Sequence, residues 1–202
     1  MLIQPYIDTR QRILDSAREL IFARSYADVG VAAICEHAGV KKGSFYHFYP
    51  SKQALTLAVL DAHFVEIKEN LVDQAFGEDI PPLARLHRFS ELVYQFQKGA
   101  STDTGHVLGC LFGNLSTELS TQDEAIRERI QLSFAKLQKA ICSVLEAAQQ
   151  QGELPKRSDI SATAQAMLAY FEGVLLLAKN QNDPELIRLL LPAMAQIRLS
   201  TS

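Results

Sequence analysis

Apolar residues recur along almost the whole chain at intervals of three or four positions, which is the spacing of one helix face. A first face is set by apolar residues at positions 13, 14, 17, 20 and 21, and a shorter one by those at positions 31, 34, 35 and 38. No segment shows a convincing alternation of apolar and polar residues of the kind that marks a half-buried strand. The pattern therefore predicts an all-α protein.

Glycines and prolines divide this pattern into further helices. Gly39 stands where a left-handed residue would end the second helix, and Pro50 stops a short third helix over 43–49. The later elements are predicted as a helix over 52–76, a fifth helix from Pro81-Pro82, a loop with a short irregular helix within 99–113, a long helix ended by Gly152, and two helices over 159–181 and 184–199.

Polar residues mark several of the predicted helix starts. Asp8 with Gln11, and Thr121 with Glu124, have the spacing of a capping box, in which two side chains bond reciprocally to backbone N–H groups. Ser51 is placed to cap the fourth helix. These residues predict where the first, fourth and seventh helices begin.

Composition and charge add little to this picture on their own. The 202 residues, 48% of them hydrophobic, are enough for one large or two small domains. The net charge of −3 gives no indication of nucleic-acid binding. Residues 1–52 carry seven Lys/Arg against five Asp/Glu, a balance of +2 that leaves −5 for the rest of the chain. The two parts of the chain thus carry small net charges of opposite sign.

Cysteine usage and the apolar segments favour the cytoplasm. Three cysteines lie far apart without a CxxC pair, which is typical of a reducing compartment. The start of the chain lacks the apolar centre of a signal peptide, and the apolar runs at 174–178 and 189–191 are too short to cross a bilayer. We expect a cytoplasmic protein without a membrane anchor.

The segment "GVKKGSFYHFYPSKQAL" (39–55) places lysines among closely spaced aromatic residues. Two short helices joined by a glycine turn, after one stabilising helix, describe a helix-turn-helix, whose second helix enters the major groove of DNA. Phe45 and Phe48 are predicted to face the first two helices. The residues left more exposed are Lys42, Ser44, Tyr46 and His47. Such a face suits phosphate contacts, and the alternative is a packed aromatic turn with solvated lysines.

The stretch "AAICEHAGVKKGSFYHFYPSKQAL" (32–55) resembles the signature of TetR-family transcriptional repressors. The resemblance is detailed from about Ile13 to Leu60, and the remainder agrees only in the number and length of helices. It implies a nine-helix homodimer with a DNA-binding domain at 1–52 and a ligand-binding and dimerisation domain at 53–202. It also implies binding to a palindromic operator, release by a small effector, and no cofactor.

Carried over position by position, the resemblance implies DNA contacts from one short part of the chain. The residues implied to approach base edges are Lys42, Gly43 and Tyr46. Those implied to hold phosphates are Ser44, His47 and Lys52, with Lys41 near the backbone.

Two positions depart from the family pattern. Gly30 stands where the family usually has a Ser or Thr, so only its backbone amides can face a phosphate. Phe48 replaces a common phosphate-binding histidine, and His47 is expected to take over that contact. Both departures concern which operator is bound, not whether DNA is bound.

The last two predicted helices carry apolar residues on more than one face, in "MLAYFEGVLLLA" (167–178) and "LIRLLLPAMAQI" (186–197). Such helices either lie inside a monomer or bury a second face against a partner. A two-fold pair would form the four-helix bundle that the family resemblance implies. Gly173 and Ala178 are expected to allow close approach of the helices.

The effector pocket is less clear from the sequence. Family resemblance places it among helices four to eight, where the inward-facing candidates are Phe64, Ile67, Phe89, Phe96, Phe134 and Tyr170. Their aromatic character favours an apolar or aromatic effector. The alternative is that these side chains are ordinary core residues.

"HVLGCLFGNLSTELS" (106–120) suggests a sensor thiol. The segment resembles family members that repress reductase genes and respond to electrophiles, in which a cysteine in Gly-Cys-Leu and a lysine late in the eighth helix act together. Cys110 and Lys179 occupy those positions. Exposed amides near Gly109 would stabilise a thiolate, and a nearby Lys179 ammonium would lower the thiol pKa. A small buried core cysteine is the alternative.

Metal-binding and enzymatic functions have weaker support. His106 and Cys110 are four residues apart, but zinc needs three or four protein ligands and no second pair has matching spacing. A di-iron bundle needs paired E-x-x-H motifs, whereas His63 and Glu66 occur once and in reverse order. A helical-bundle enzyme and a purely structural bundle remain as alternatives to a DNA-binding regulator.

Overall fold

A computed structural model describes residues 8–200. Over this range the chain forms nine helices: α1 (Thr9–Ala23), α2 (Val31–His37), α3 (Lys42–Phe48), α4 (52–75), α5 (Pro82–Thr104), α6 (Leu111–Leu119), α7 (Glu124–Gln150), α8 (Ile160–Gln181) and α9 (185–196). Ser158 and Ser200 form an isolated antiparallel bridge. The predicted all-α, nine-helix fold is confirmed. Residues 1–7, part of the start that was predicted not to be a signal peptide, lie outside the described residues.

Two of these helices change their winding. α4 is an α-helix over Lys52–Ile67, passes through a π-helical turn over Lys68–Val72, and closes over Asp73–Ala75. α9 is an α-helix over Glu185–Leu190 and a 3-10 helix over Leu191–Gln196. Pro192 lacks the N–H group that would continue the α-helical bonding, so the last turns tighten and the helix ends before the predicted residue 199.

The chain forms two compact units. The first contains the described residues up to 63 together with 114–130, and the second contains 64–113 together with 131–200. Part of α6 and the start of α7 therefore belong with the N-terminal helices. The boundary at residue 52 stays a prediction about the DNA-binding domain itself.

In the first unit, α1, α2 and α3 pack on one another around fully buried side chains. Ile13, Ile34 and Phe45 have no exposed surface, and burying each such side chain stabilises the fold by about 1.5–3 kcal/mol. Gly39 ends α2 with φ of +62°, as predicted. The guanidinium of Arg12 donates hydrogen bonds to the carbonyls of Ala38 and Gly39, which fixes this turn against α1.

The predicted helix caps are only partly correct. Asp8 does cap α1, but Gln11 bonds to Asp15 instead of reaching back to complete a capping box. α7 is capped by Asp123, whose carboxylate accepts the N–H of Ile126 at 3.1 Å, and Thr121 is not its cap. An acidic residue at this position accepts the free N–H as well as threonine does, and spacing alone does not choose between them.

The second unit has its own core, built mainly from α5, α7, α8 and α9. α8 is long and apolar enough to span a membrane by length and composition. Its longest unbroken apolar run, 174–178, does not show this, because scattered polar residues interrupt the helix. Core helices of soluble proteins have the same length and composition, but only 33% of the most apolar stretch of α8 is buried. α8 therefore presents a second apolar face that its own chain leaves uncovered.

Candidate nucleic-acid interface and effector site

α3 has a buried anchor and an exposed set of polar residues. Phe45 is fully buried, Tyr49 just after the helix is 4% exposed, and Phe48 is half-buried. The exposed residues are Lys41, Lys42, Gly43, Tyr46 and His47, and Ser44 is half-buried. Tyr46 leaves 54% of its surface free in spite of its aromatic ring. Lys42, Tyr46 and His47 are exposed as predicted, Ser44 is less exposed than predicted, and contact of this face with DNA stays a prediction.

The start of α2 offers bare backbone amides. Gly30 is the N-cap in an extended conformation, and it makes no side-chain cap. A Cβ added at Gly30 would meet nothing within 4 Å, and Gly30 is exposed, so an anion has room beside the uncapped N–H groups of α2. Free N–H groups at a helix start bind anions such as phosphate.

Lys52 is used differently from its predicted phosphate role. Its ammonium donates to the carbonyls of Tyr26 at 2.8 Å and Val29 at 3.1 Å, and it lies 3.7 Å from the centre of the Tyr26 ring. Burial lowers the pKa of Lys52. This lysine therefore holds the loop that leads into α2.

Glu118, in α6, holds the same loop from another side. Its carboxylate accepts the N–H groups of Tyr26 at 2.9 Å and Ala27 at 2.7 Å. Glu118 and Lys52 together bond to two N–H groups and two carbonyls of the loop 26–29. Glu118 could not be found from the sequence, because a contact between residues 91 or more positions apart leaves no local pattern.

The six predicted effector-wall residues fall into two aromatic clusters and three separate positions. Phe64 and Phe134 both pack on Phe112, with ring centres 6.5 and 6.0 Å away. Phe89 lies between Phe76 and Phe171, at 5.4 and 5.7 Å, and lines a cavity of only about 10 Å³. Ile67, Phe96 and Tyr170 are half-buried, and Tyr170 donates its hydroxyl to the Leu190 carbonyl at 2.9 Å.

A larger cleft lies elsewhere in the second unit. It has a volume of about 320 Å³, within the range of small-molecule sites, and its charged and polar lining consists of Asp73, Glu78, Arg85 and Ser143. None of these residues was predicted as an effector contact, because the candidates chosen from the sequence were mainly aromatic. The positions of the lining residues in the sequence also do not indicate that α4 and α7 both border this cleft.

Cys110 immediately precedes α6, at the end of a loop fixed by two side-chain amides. Gln97 is buried and bonds to both the carbonyl and the N–H of Gly109. Asn182 accepts the N–H of Val107 at 2.8 Å and donates to Gly105. The sulfur of Cys110 accepts the N–H of Gly113 at 3.5 Å, so the thiol stands at the start of the helix.

The ionisable group beside Cys110 is Glu172, in α8. The thiol and the carboxyl share a hydrogen bond. Burial first, and then the Glu172 charge, hold the thiol pKa well above its usual value, although the N–H groups of Gly113 and Phe112 lower it. Burial also raises the pKa of Glu172 to about 7. The predicted lowering of the Cys110 pKa is therefore wrong for the resting protein.

Lys179 does not take the place beside the thiol that the sequence suggested. It follows Glu172 by seven residues, which puts it two turns away on the same side of α8, about 10 Å along the axis. Burial lowers the pKa of its ammonium. In the described residues a carboxyl group, not an ammonium, is what meets Cys110.

Metal ligation has no candidate in residues 8–200, where no three His, Cys, Asp or Glu side chains are grouped to hold an ion. His106, proposed as a partner for Cys110, is exposed and bonds through its backbone to Thr104.

Comparison with known proteins gives matches over both parts of the chain. Residues 13–59 match the family described as bacterial regulatory proteins of the tetR family, and residues 82–194 match the tetracyclin repressor-like C-terminal domain. An uncharacterized HTH-type transcriptional regulator from Lactococcus lactis is 31% identical over 87% of this chain and 86% of its own length. The HTH-type transcriptional repressor NemR of Escherichia coli is 27% identical, over 85% and 84%. The crystal structure of the regulatory protein TetR from Rhodobacter sphaeroides superposes with a TM-score of 0.84 at 29% identity, covering 95% of this chain and 99% of that one.

Proposed function

Because this chain belongs to the TetR family of bacterial transcriptional regulators, we propose that it binds a palindromic operator as a homodimer and leaves it when an effector reaches the second unit. The observation that carries this proposal is the exposed polar face of α3 on its buried Phe45 anchor. Members of the family are regulators and not enzymes, so the alternative of a helical-bundle enzyme is set aside.

DNA recognition follows from the exposed side chains. Lys42, Gly43 and Tyr46 approach base edges from α3 in the major groove, and Gly43 lets the backbone come close because no side chain intervenes. Phosphates are held by Ser44, His47 and Lys41, and by the open N–H groups at Gly30. Lys52 contributes to this surface indirectly, because its ammonium bonds to the loop 26–29 that leads into α2.

A homodimer accounts for the uncovered apolar face of α8 and α9. Leu176 is 65% exposed, Leu177 47% and Leu189 71%. Leucines this exposed, on neighbouring helices, mark a surface that a second copy of the chain can cover. Of the small residues predicted at this surface, Gly173 is exposed, whereas Ala178 is buried in the unit's own core.

The effector is an electrophile or a small ligand that acts at or near Cys110. Its support is the position of Cys110 at the start of α6, in a loop fixed by Gln97 and Asn182. Bulk added there in a close-packed unit displaces α6. Glu118, at the other end of α6, then moves the loop 26–29 that precedes α2. Lys179 takes part in the reaction of Cys110 only if a shift of α8 or α6 brings its ammonium to the thiol. The protein acts in the cytoplasm, where its DNA operator is located.

Selection from sheared genomic DNA tests the DNA-binding function and does not require the operator sequence to be chosen in advance. Purified protein is mixed with fragments, and the bound DNA is sequenced. The proposal expects enrichment of a few sites that share an inverted repeat, and loss of that enrichment with Tyr46→Ala. Equal recovery of all fragments, or the same sites with the variant, would contradict it.

A further inference from the structure

Glu172 approaches Cys110 through a gap that exists only because residue 113 is glycine. A Cβ built on Gly113 would clash with Oε2 of Glu172 and would lie 3.6 Å from Cβ of Cys110. No side chain can occupy that space while the carboxyl group stays where it is. The carboxyl, the thiol and the start of α6 therefore form one compact cluster, which we call the Cys110–Glu172 pair.

The carboxyl group of this pair is incompletely bonded. Oε1 of Glu172 is buried and has no hydrogen-bond partner among the described residues. Leaving a buried carboxylate oxygen unbonded is costly, so a purely structural role does not explain its position. The Cys110 thiol bonds to this same carboxyl group, and a carboxyl group with spare acceptor capacity is what the removal of the thiol proton requires.

The thiol needs such help, because its environment keeps it protonated. Burial and the Glu172 charge raise the pKa of Cys110, and only a thiolate is an effective nucleophile. The titratable group that meets Cys110 in the described residues is Glu172, and the one that meets Glu172 is Cys110. In the described residues the group that contacts the thiol is therefore a carboxyl group, which can act as a base, and not a cation.

We propose that Glu172 is the general base that takes the Cys110 proton as the sulfur adds to an α,β-unsaturated carbonyl compound. The inference rests on the proposed function in one respect, namely that Cys110 is the residue the effector reaches. Its pKa of about 7 suits a base that works near neutral pH.

The reaction balances without an oxidant or a reductant. The Glu172 carboxylate takes the S–H proton while sulfur bonds to the β-carbon, and the C=C electron pair moves onto the carbonyl as an enolate. The N–H groups of Gly113 and Phe112 stabilise negative charge on the sulfur as the proton leaves. The carboxylic acid then returns its proton to the α-carbon. The net result is addition of the thiol across the double bond, with Glu172 restored.

The test measures the rate of alkylation of each cysteine by N-ethylmaleimide from pH 5.5 to 9.5, with the full-length protein and peptide mass spectrometry. In the wild type, Cys110 is expected to react at a rate that rises through about pH 7 and then levels. Glu172→Gln should slow the alkylation of Cys110 roughly 100- to 10,000-fold at pH 7.5 and remove the rise near pH 7. Cys142, half-buried on α7, serves as the internal control and should be unaffected.

The direction of the effect separates a base from a passive neighbour. If Glu172 only repels the thiolate, its replacement by glutamine lowers the Cys110 pKa and the reaction becomes faster, which overturns the proposal. An unchanged rate and pH profile also overturns it. Gly113→Ala is a second test. It keeps both reacting groups but displaces the Glu172 carboxyl group, so it should slow the alkylation of Cys110 in the same way. Melting curves confirm that each variant is folded.

A separate measurement isolates the sensor assignment itself. Release of Cys110→Ser from its DNA by N-ethylmaleimide would contradict Cys110 as the sensor. The alkylation rates would still report whether Glu172 acts as the base toward Cys110, so the two failures are distinguishable.

Discussion

The carboxylate of Glu118 accepts the backbone N–H of Tyr26 at 2.9 Å and that of Ala27 at 2.7 Å. A residue of α6 thus fixes the loop from which α2 starts, in the same compact unit. Lys52 binds the carbonyls of this loop, so its backbone is held on both sides. The position of the open N–H groups at Gly30 depends on these two side chains.

Replacement of Glu118 by alanine is expected to weaken both the fold and DNA binding. Two charge-assisted hydrogen bonds are lost, at a cost of about 1.5–3 kcal/mol in the free energy of unfolding. Operator affinity should fall as well, because the loop no longer positions α2. Glu128→Ala, at an exposed position of α7, is the control. Urea denaturation and fluorescence anisotropy measure the two effects, and a variant equal to wild type in both would contradict the role of Glu118.

Substitution of Lys41 and of Lys52 is expected to have different effects. Lys41 is exposed, so Lys41→Ala should remove about one phosphate contact and reduce the slope of log affinity against log salt by about 0.9. Lys52→Ala should mainly lower the melting temperature, because its ammonium serves the loop 26–29. Salt titrations of operator binding and thermal melts compare the two variants. A lower salt slope for Lys52→Ala with an unchanged melting temperature would restore the phosphate role predicted from the sequence.

Leu189→Glu is expected to break the homodimer. The side chain is 71% exposed on the single chain, and a charge placed in a buried apolar interface has no partner. Leu132→Glu, 56% exposed on α7, is the matched control and should leave the assembly unchanged. Sedimentation velocity gives the mass of each. A monomeric wild type, or a dimeric Leu189→Glu protein, would remove α9 from the proposed interface.

The raised pKa of Glu172 predicts a specific pH dependence of stability. Burial moves this pKa from 4.5 to about 7, so the folded protein retains a proton that the unfolded chain releases first. The resulting stabilisation is complete below pH 4.5 and is lost as the pH rises through about 7, an effect of about 3 kcal/mol. Glu172→Gln should lack this fall.

The measurement is the free energy of unfolding in urea at several values between pH 4.5 and 8.5, taken as the difference between variant and wild type. Glu128→Gln supplies the baseline for an exposed carboxyl group. A constant difference between Glu172→Gln and wild type across this range would show that Glu172 titrates normally.

The helices and the exposed face of α3 were predictable because their causes are local. Periodic apolar residues, Gly39 at a left-handed turn and Pro50 after a short helix each act over a few positions. Asp123 shows the limit of such rules, since it caps α7 two positions after the predicted Thr121. Both residue types can cap a helix start, so the sequence pattern alone does not choose between them.

The contacts that define the candidate sites were not predictable, because they join distant segments. Glu118 with Tyr26, Lys52 with Val29, and Glu172 with Cys110 become neighbours only after the chain has folded. The sequence marked Cys110 as a candidate sensor thiol, which stays a prediction, and supplied Lys179 as its partner by resemblance. The residue that reaches the thiol is a carboxylate two turns earlier on α8, admitted by Gly113.

Hydroxyl-radical footprinting of the DNA that the wild-type protein selects tests the central claim most directly. Two copies of α3, related by a two-fold axis, should protect two half-sites about one helical turn apart on the same face of the duplex. A titration of the same duplex should reach saturation at two chains per site. Protection of a single asymmetric stretch, or saturation at one chain per site, would contradict operator recognition by paired copies of α3.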